Sequence, residues 1–242
     1  MACFVLVHGA WHGGWCWTES ARILRNLGHD VHAPTLTGLG ERCHQMSAEI
    51  TPDTHVTDIL QVLTWRELSD VILVGHSYGG LVITGVASQR PALMRALVYL
   101  DAFVPEVSGK SIFAEANPDR MAGFQRQMDA GAVGLEPDAA MQTWTDDPAI
   151  MARLKPLCTP QPKGTLTHGV TLTGLENEVG HRHYIITERN RPSAFWAEYA
   201  RVKSRPGWTT ATFPTWHDAM LEAPEALAHH LHSYAAHLSE AV

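Results

Sequence analysis

The chain has 242 residues, 45% of them hydrophobic and 18% charged, with a formal net charge of −7. That size suits one α/β domain with a small insertion, and that balance supplies a sizeable core and excludes a disordered or low-complexity protein. There is no Lys/Arg run to attract nucleic acid, and no apolar run nears the ~18 residues of a membrane span.

Residues Phe4–Val7 are a short apolar run ending at His8-Gly9, which reads as a buried strand feeding a loop. No basic segment and long apolar stretch precede it, so no signal peptide is expected. The scattered cysteines Cys3, Cys16, Cys43 and Cys158 lack a C-x-x-C pair, so reduced thiols in a cytoplasmic protein are expected. After a loop rich in Gly and Trp comes a helix with Ala21, Leu24 and Leu27 on one face and Gly28 as its stop. Asp30–Pro34 reads as the next strand. Asp53–Leu63 is helical by the spacing of Val56, Ile59, Leu60 and Leu63. Asp70–Gly75 is a β-branched run without polar interruption, as a strand buried on both faces requires. Leu81–Gln89 is a helix, and Arg95–Leu100 a strand delivering Asp101 at its end.

The alternation resumes with strand Tyr184–Thr187, helix Ser193–Val202, strand Thr209–Phe213 and a last helix over Pro224–Ser239. Strands alternating with helices predict a mostly parallel, doubly wound sheet. Between Pro105 and about Val179 the chain lacks strand runs but shows helical segments near Ser111–Ala116, Arg120–Ala130, Asp138–Thr145 and Asp147–Leu154. A structureless excursion that long is uncommon. The expected organisation is a core of 1–104 and 180–242 with a helical cap, 105–179, inserted after the strand ending at Asp101.

Gly75-His76-Ser77-Tyr78-Gly79 matches G-x-S-x-G, and here it follows a strand and opens a helix, the context that makes the pattern specific. Such a turn exposes a serine Oγ and needs glycines where two backbones crowd. Serine needs a base within hydrogen-bond reach. Of fifteen histidines, His217 has the right place, in the loop between the last strand and the last helix. His76 is expected to point away from the site. His181, His183, His229, His230 and His232 lack the carboxylate or thiolate company of a metal site, and the last three are placed on a solvent-facing helix surface, so no metal is expected. An anionic tetrahedral intermediate needs backbone donors. Tyr78, after the nucleophile, and Ala10, in the loop after the first strand, are the candidates.

The segment Phe4–Trp17 (FVLVHGAWHGGWCW), the elbow GHSYGG and the ending His217-Asp218-Ala219-Met220-Leu221 together resemble the plant methylesterase and hydroxynitrile lyase group of the α/β-hydrolase fold, and most of all its bacterial esterase branch. That branch includes hydrolases of carboxylic and carbamic esters, pyrethroid- and carbendazim-type compounds among them. The resemblance implies oxyanion donors at the positions of Ala10 and Tyr78. It implies a lyase only where a Thr stands at the position of Gly9 and a Lys follows the catalytic His. Here those positions hold Gly9 and Asp218, and an acidic Asp218 is expected to repel cyanide.

The resemblance also places the triad acid in the loop after strand Tyr184–Thr187, where this chain has Asn190. Asn cannot stabilise an imidazolium as a carboxylate can. Asp101, at a strand end that some lipases of this fold use, is favoured. Glu188 and Asp218 compete.

The expected function is that of a serine esterase. It would hydrolyse a small apolar, preferably aromatic, carboxylic or carbamic methyl ester through an acyl-enzyme on Ser77, without a cofactor. Trp15, Phe103 and Trp144 are the leading substrate contacts, with Phe113, Phe124, Met128 and Met151 behind them. A lyase and a non-catalytic small-ligand receptor on the same fold are the alternatives. The expected partner is the small-molecule ester; nucleic acid and membrane are not, and a homodimer stays open.

Overall fold

The computed structural model describes residues 1–115 and 118–240. Six strands form the central sheet: β1 (Cys3–Val7), β2 (Asp30–His32), β3 (Val71–His76), β4 (Met94–Leu100), β7 (Arg182–Thr187) and β8 (Trp208–Phe213). Their order is β2-β1-β3-β4-β7-β8 and every pairing is parallel, the doubly wound α/β architecture expected. A two-stranded antiparallel pair stands apart, β5 (Gly134–Leu135) with β6 (Gln161–Pro162). These two-residue strands lie in the segment expected to have none; they are too short to leave a periodic signal.

Helices α1 (Thr18–Asn26), α2 (Pro52–Trp65), α3 (Gly79–Gln89), α7 (Phe195–Val202), α8 (Ala219–Glu222) and α9 (Pro224–Glu240) flank the central sheet. Gly28 has φ +87, a conformation glycine adopts without strain, and it ends the first helix as expected. Pro52 opens α2, and the Thr51 N–H donates to Thr54 Oγ1 at 3.1 Å, a cap that sets its start. All of β3 is buried, and so is α3 from Gly79 to Ser88, which explains why neither shows an amphipathic pattern.

Between β4 and β7 lie α4 (Pro118–Asp129), α5 (Pro148–Leu154) and α6 (Lys163–Thr167), with short 3-10 helices over Ile112–Glu115 and Asp138–Thr143 among the connections. The helical segment expected near Ser111–Ala116 ends at Ala116, which lies outside the described residues. No helix among the described residues is long and apolar enough to cross a membrane.

The sheet order positions the chemistry. β3 and β4 are adjacent, β7 follows β4 and β8 follows β7. All six run in one direction, so the loops after β1, β3, β4, β7 and β8 open at the same edge, where ligands of such sheets bind.

Candidate active site

β3 delivers Ser77 into the elbow with φ +53, a left-handed conformation that a side chain adopts only under constraint. The crowding that requires glycine is explicit. A Cβ on Gly79 would stand 2.7 Å from the Val7 carbonyl oxygen, and one on Gly80 would stand 2.1 Å from that of Phe103. Tyr78 precedes α3, whose first N–H groups have no partner within the helix. Its buried hydroxyl donates to His55 Nδ1 at 2.9 Å, and His55 Nε2 donates to the Thr37 carbonyl at 2.9 Å. Burial pushes the His55 pKa down to about 4, so the ring is neutral with one defined tautomer.

His217 stands in the loop after β8. Its Nδ1 donates to Asp101 Oδ2 at 2.6 Å, and the carboxylate is fully buried. Asp101 also accepts from Asn190 Nδ2 at 2.8 Å and from the Thr187 N–H at 3.3 Å. Asn190 Nδ2 lies 3.4 Å from His217 Nδ1. A side chain from the end of β4 and one from the loop after β7 thus reach one point, because those strands are neighbours. Asn190, in the loop where the acid was expected, serves as a donor to the Asp at the end of the adjacent strand β4. Glu188 is exposed, and its N–H continues the sheet to Phe213 at 2.8 Å, so it stands outside this cluster. The His217 ring stacks on Phe195 at 5.0 Å, its plane tilted only 6° from parallel.

Ser77, His217, Ala10 and Tyr78 all border one cavity of about 680 Å³, a volume suited to a small organic ligand. Phe103 and Trp144 border it too, as do Phe113 and Phe124. Trp15 does not. It sits in a 3-10 turn after Gly13 and stacks on His12 at 5.3 Å, so Trp11 and His12 form that wall instead. Trp11 has φ +65, which turns this part of the loop toward the cavity. Met128 and Met151 are also absent from the wall and pack against the core, while Met121 is present.

His76 borders the cavity rather than pointing away. Its Nε2 donates to the His217 carbonyl at 3.1 Å, bracing the loop that carries His217. Burial, then the neighbouring imidazoles, lowers its pKa, so it stays neutral. Asp218 is wholly buried and does not border the cavity; its Oδ2 lies 3.1 Å from His12 Nε2. His230 and His232, expected to face solvent, are half-buried and pair with His183 at 2.8 Å and His29 at 2.9 Å.

Two groups of potential metal ligands occur among the described residues, Cys3/Asp30/His32 and His76/His217/Asp218. In the second, His217 Nδ1 serves Asp101, His76 Nε2 serves a carbonyl and Asp218 Oδ2 serves His12, so those atoms are committed to hydrogen bonds. The first lies at the start of β1, the end of the strand opposite Ala10.

Residues 4–230 match the alpha/beta hydrolase family. The chain belongs to the α/β-hydrolase family. This α/β-hydrolase is 40% identical over 239 residues to a carbendazim hydrolyzing esterase from Nocardioides sp. (strain SG-4G), a match covering 96% of this chain and 98% of the relative. Among solved structures, an extracellular α/β-hydrolase from a Paenibacillus species superposes with a TM-score of 0.81 at 23% identity, over 95% of this chain and 97% of that one. A pyrethroid hydrolase from Sphingobium faniae JZ-2 superposes at 0.71 with 22% identity, over 99% of both chains. These superpositions establish the fold, and the family makes the chain a hydrolase.

Of the two residues weighed against a lyase, Gly9 keeps that reading and Asp218 does not. A Cβ at Gly9 would stand 2.8 Å from His76 Nδ1 and 3.0 Å from Ser77 Cβ. A Thr-like side chain there would have to push the His76 ring aside. The expected repulsion of cyanide by Asp218 is withdrawn, since that carboxylate is paired with His12 behind the cavity wall. Gln161 was not expected to matter. It is fully buried and its Oε1 accepts the Trp11 N–H at 2.8 Å, across 150 residues, so no local sequence pattern marks it.

Proposed function

We propose that this hydrolase is a serine esterase cleaving small, largely apolar carboxylic or carbamic esters. The observation carrying the reading is the convergence on one cavity of Ser77, of His217 backed at 2.6 Å by buried Asp101, and of Ala10 and Tyr78. In this reading Ser77 Oγ attacks the ester carbonyl carbon while its proton passes to His217 Nε2. The buried Asp101 carboxylate holds the ring by its other nitrogen and stabilises the imidazolium. The N–H groups of Ala10 and Tyr78 receive the oxyanion. The intermediate collapses, the C–O bond to the leaving alcohol breaks, and His217 returns its proton to that alcohol. Water, deprotonated by His217, then attacks the acyl-enzyme, releases the acid and restores Ser77.

The substrate class follows from the wall. Phe103, Phe113, Phe124 and Trp144 favour an aromatic or apolar ester over a sugar or phosphate. Most of these come from residues 105–179, which we take to be the cap that sets selectivity. The kinship with a carbendazim hydrolyzing esterase puts methyl carbamates beside methyl esters among the candidates. A receptor that binds without turnover is disfavoured because both a nucleophile and a backed base are present. The contact at Gly9 disfavours the lyase.

The test is a panel of p-nitrophenyl acetate, aromatic methyl esters and carbendazim, assayed with wild type and Ser77→Ala. Loss of about 10⁶-fold in kcat in the variant is expected for a nucleophile of this type. Undiminished hydrolysis by Ser77→Ala would overturn the reading.

A further inference from the structure

We propose that His12, Asp218 and Gln161 are positioning residues that clamp the Ala10–Trp11 peptide and thereby aim the Ala10 N–H at the oxyanion. The inference rests on the reading above, in which Ala10 is a donor, and adds three residues to it.

One peptide group is held at both ends. Its carbonyl, that of Ala10, accepts from His12 Nδ1 at 2.8 Å. Its N–H, that of Trp11, donates to Gln161 Oε1 at 2.8 Å. Each holder is itself held. His12 Nε2 meets Asp218 Oδ2 at 3.1 Å, and the Asp218 N–H donates to the Trp144 carbonyl at 3.0 Å. Gln161 Nε2 donates to Thr165 Oγ1 at 2.6 Å, which donates to the Pro162 carbonyl at 2.7 Å. The three clamp side chains are 1%, 0% and 0% exposed for His12, Asp218 and Gln161. The peptide they grip precedes a residue with φ +65, a backbone state that persists only where surroundings over-determine it. The Ala10 N–H belongs to the preceding Gly9–Ala10 peptide, whose carbonyl accepts from His8 Nδ1 at 2.8 Å; the two peptides meet at the Ala10 Cα, so the clamp anchors the end of the donor's peptide that His8 leaves free.

The chemistry of His12 makes the clamp specific. Both ring nitrogens face acceptors, a carbonyl and a carboxylate, so the ring carries two protons and a positive charge. Around it stand the rings of Trp15, Trp144 and His76 and the single carboxylate of Asp218, whose Oδ1 lies 3.7 Å from His76 Nε2. Burial opposes the charge, but the Asp218 carboxylate and the two hydrogen bonds outweigh it and raise the His12 pKa above the ordinary value. A buried ion pair adds little net stability compared with apolar packing. Fixing one peptide beside the nucleophile gives this pair a role that packing would not.

Two measurements test this. In wild type, ¹⁵N NMR of the His12 ring at pH 6 should show both nitrogens protonated, and Asp218→Asn should leave one bare. A neutral His12 ring in wild type would overturn the clamp. In kinetics, Asp218→Asn and Gln161→Met should each lower kcat roughly ten- to a hundredfold, short of the 10²–10³ seen when a donor is removed outright, with KM nearly unchanged. Affinity for a boronate analogue of the tetrahedral state should fall in parallel, and affinity for the product acid should not. Unchanged kcat in both variants, or kcat, KM and product affinity all falling together, would overturn it. Gln161→Glu retains the acceptor and should recover most of the rate lost in Gln161→Met, which excludes general damage. Ser77→Ala separates the two readings. If it is inactive while Asp218→Asn is fully active, the clamp fails and the esterase stands; if it is active, the esterase reading itself fails.

Discussion

His217 and Asp218 are consecutive, yet each belongs to a different buried histidine–carboxylate pair. His217 supplies the ring for Asp101 at 2.6 Å, while Asp218 supplies the carboxylate for His12 at 3.1 Å. The chemical ingredients are the same and the consequences differ, because the second ring nitrogen faces different things. In His217 one nitrogen is committed to the carboxylate and the ring borders the cavity beside Ser77. A proton can come and go there, as a general base requires. In His12 the second nitrogen is tied to the Ala10 carbonyl, so the ring can neither accept a proton nor release one without breaking a bond. A histidine beside an aspartate is therefore no base until its other nitrogen is accounted for.

The sharpest way to break this contrast is to remove each carboxylate in turn. Asp101→Asn should lower kcat by about 10⁴-fold, the magnitude seen when the acid of such a triad loses its charge, whereas Asp218→Asn should cost far less. Glu188→Gln should leave kcat within twofold or so, since surface polar changes of this kind are nearly neutral. A large loss in Glu188→Gln with Asp101→Asn near wild type would show that the conventional loop, not β4, supplies the acid.

Gly9→Thr probes the space behind Ser77. Its Cβ, 2.8 Å from His76 Nδ1, would displace the imidazole that braces the His217 carbonyl. Kinetics should show at least a hundredfold loss, about what a 1 Å misplacement costs, without any gain of cyanohydrin cleavage. The cavity wall offers a smaller effect. Phe113→Ala should raise KM about tenfold for aromatic methyl esters and change p-nitrophenyl acetate hydrolysis little.

Acid stability gives the mildest test and separates neutral rings from the charged one. Burial holds His8 at a pKa of about 3 and His183 at about 3, below the ordinary 6.5. Between those values the unfolded chain binds these protons and the folded chain does not. Stability therefore falls as pH drops below 6.5, by about 1.4 kcal/mol per pH unit and per ring at most. Thermal melts from pH 7 to pH 4 should show this slope. His183→Asn, near the start of β7 where it pairs with His230 and away from the cavity wall, should flatten it by one ring and leave ester hydrolysis intact.

Much of the framework was legible in the chain because it rests on local signals. Apolar runs and helical spacing located six strands and the main helices within a few residues. The elbow GHSYGG located Ser77, since a G-x-S-x-G between strand and helix is a local steric requirement. Position after the last strand singled out His217 from fifteen histidines. What misled was side-chain direction. His76, Trp15 and Asp218 all have loop or junction backbones, where no two- or 3.6-residue period says which way a side chain points.

The sequence by itself determined the sheet, the elbow and the place of Ser77 in it, because each follows from residues close together in the chain. Only the tertiary structure decided which carboxylate meets which histidine. Asp101 reaches His217 across 116 residues and Asp218 reaches His12 across 206, distances set by strand order and loop packing. Gln161 meets Trp11 by the same route. Such pairings depend on where neighbouring strands end, and that is a property of the assembled sheet.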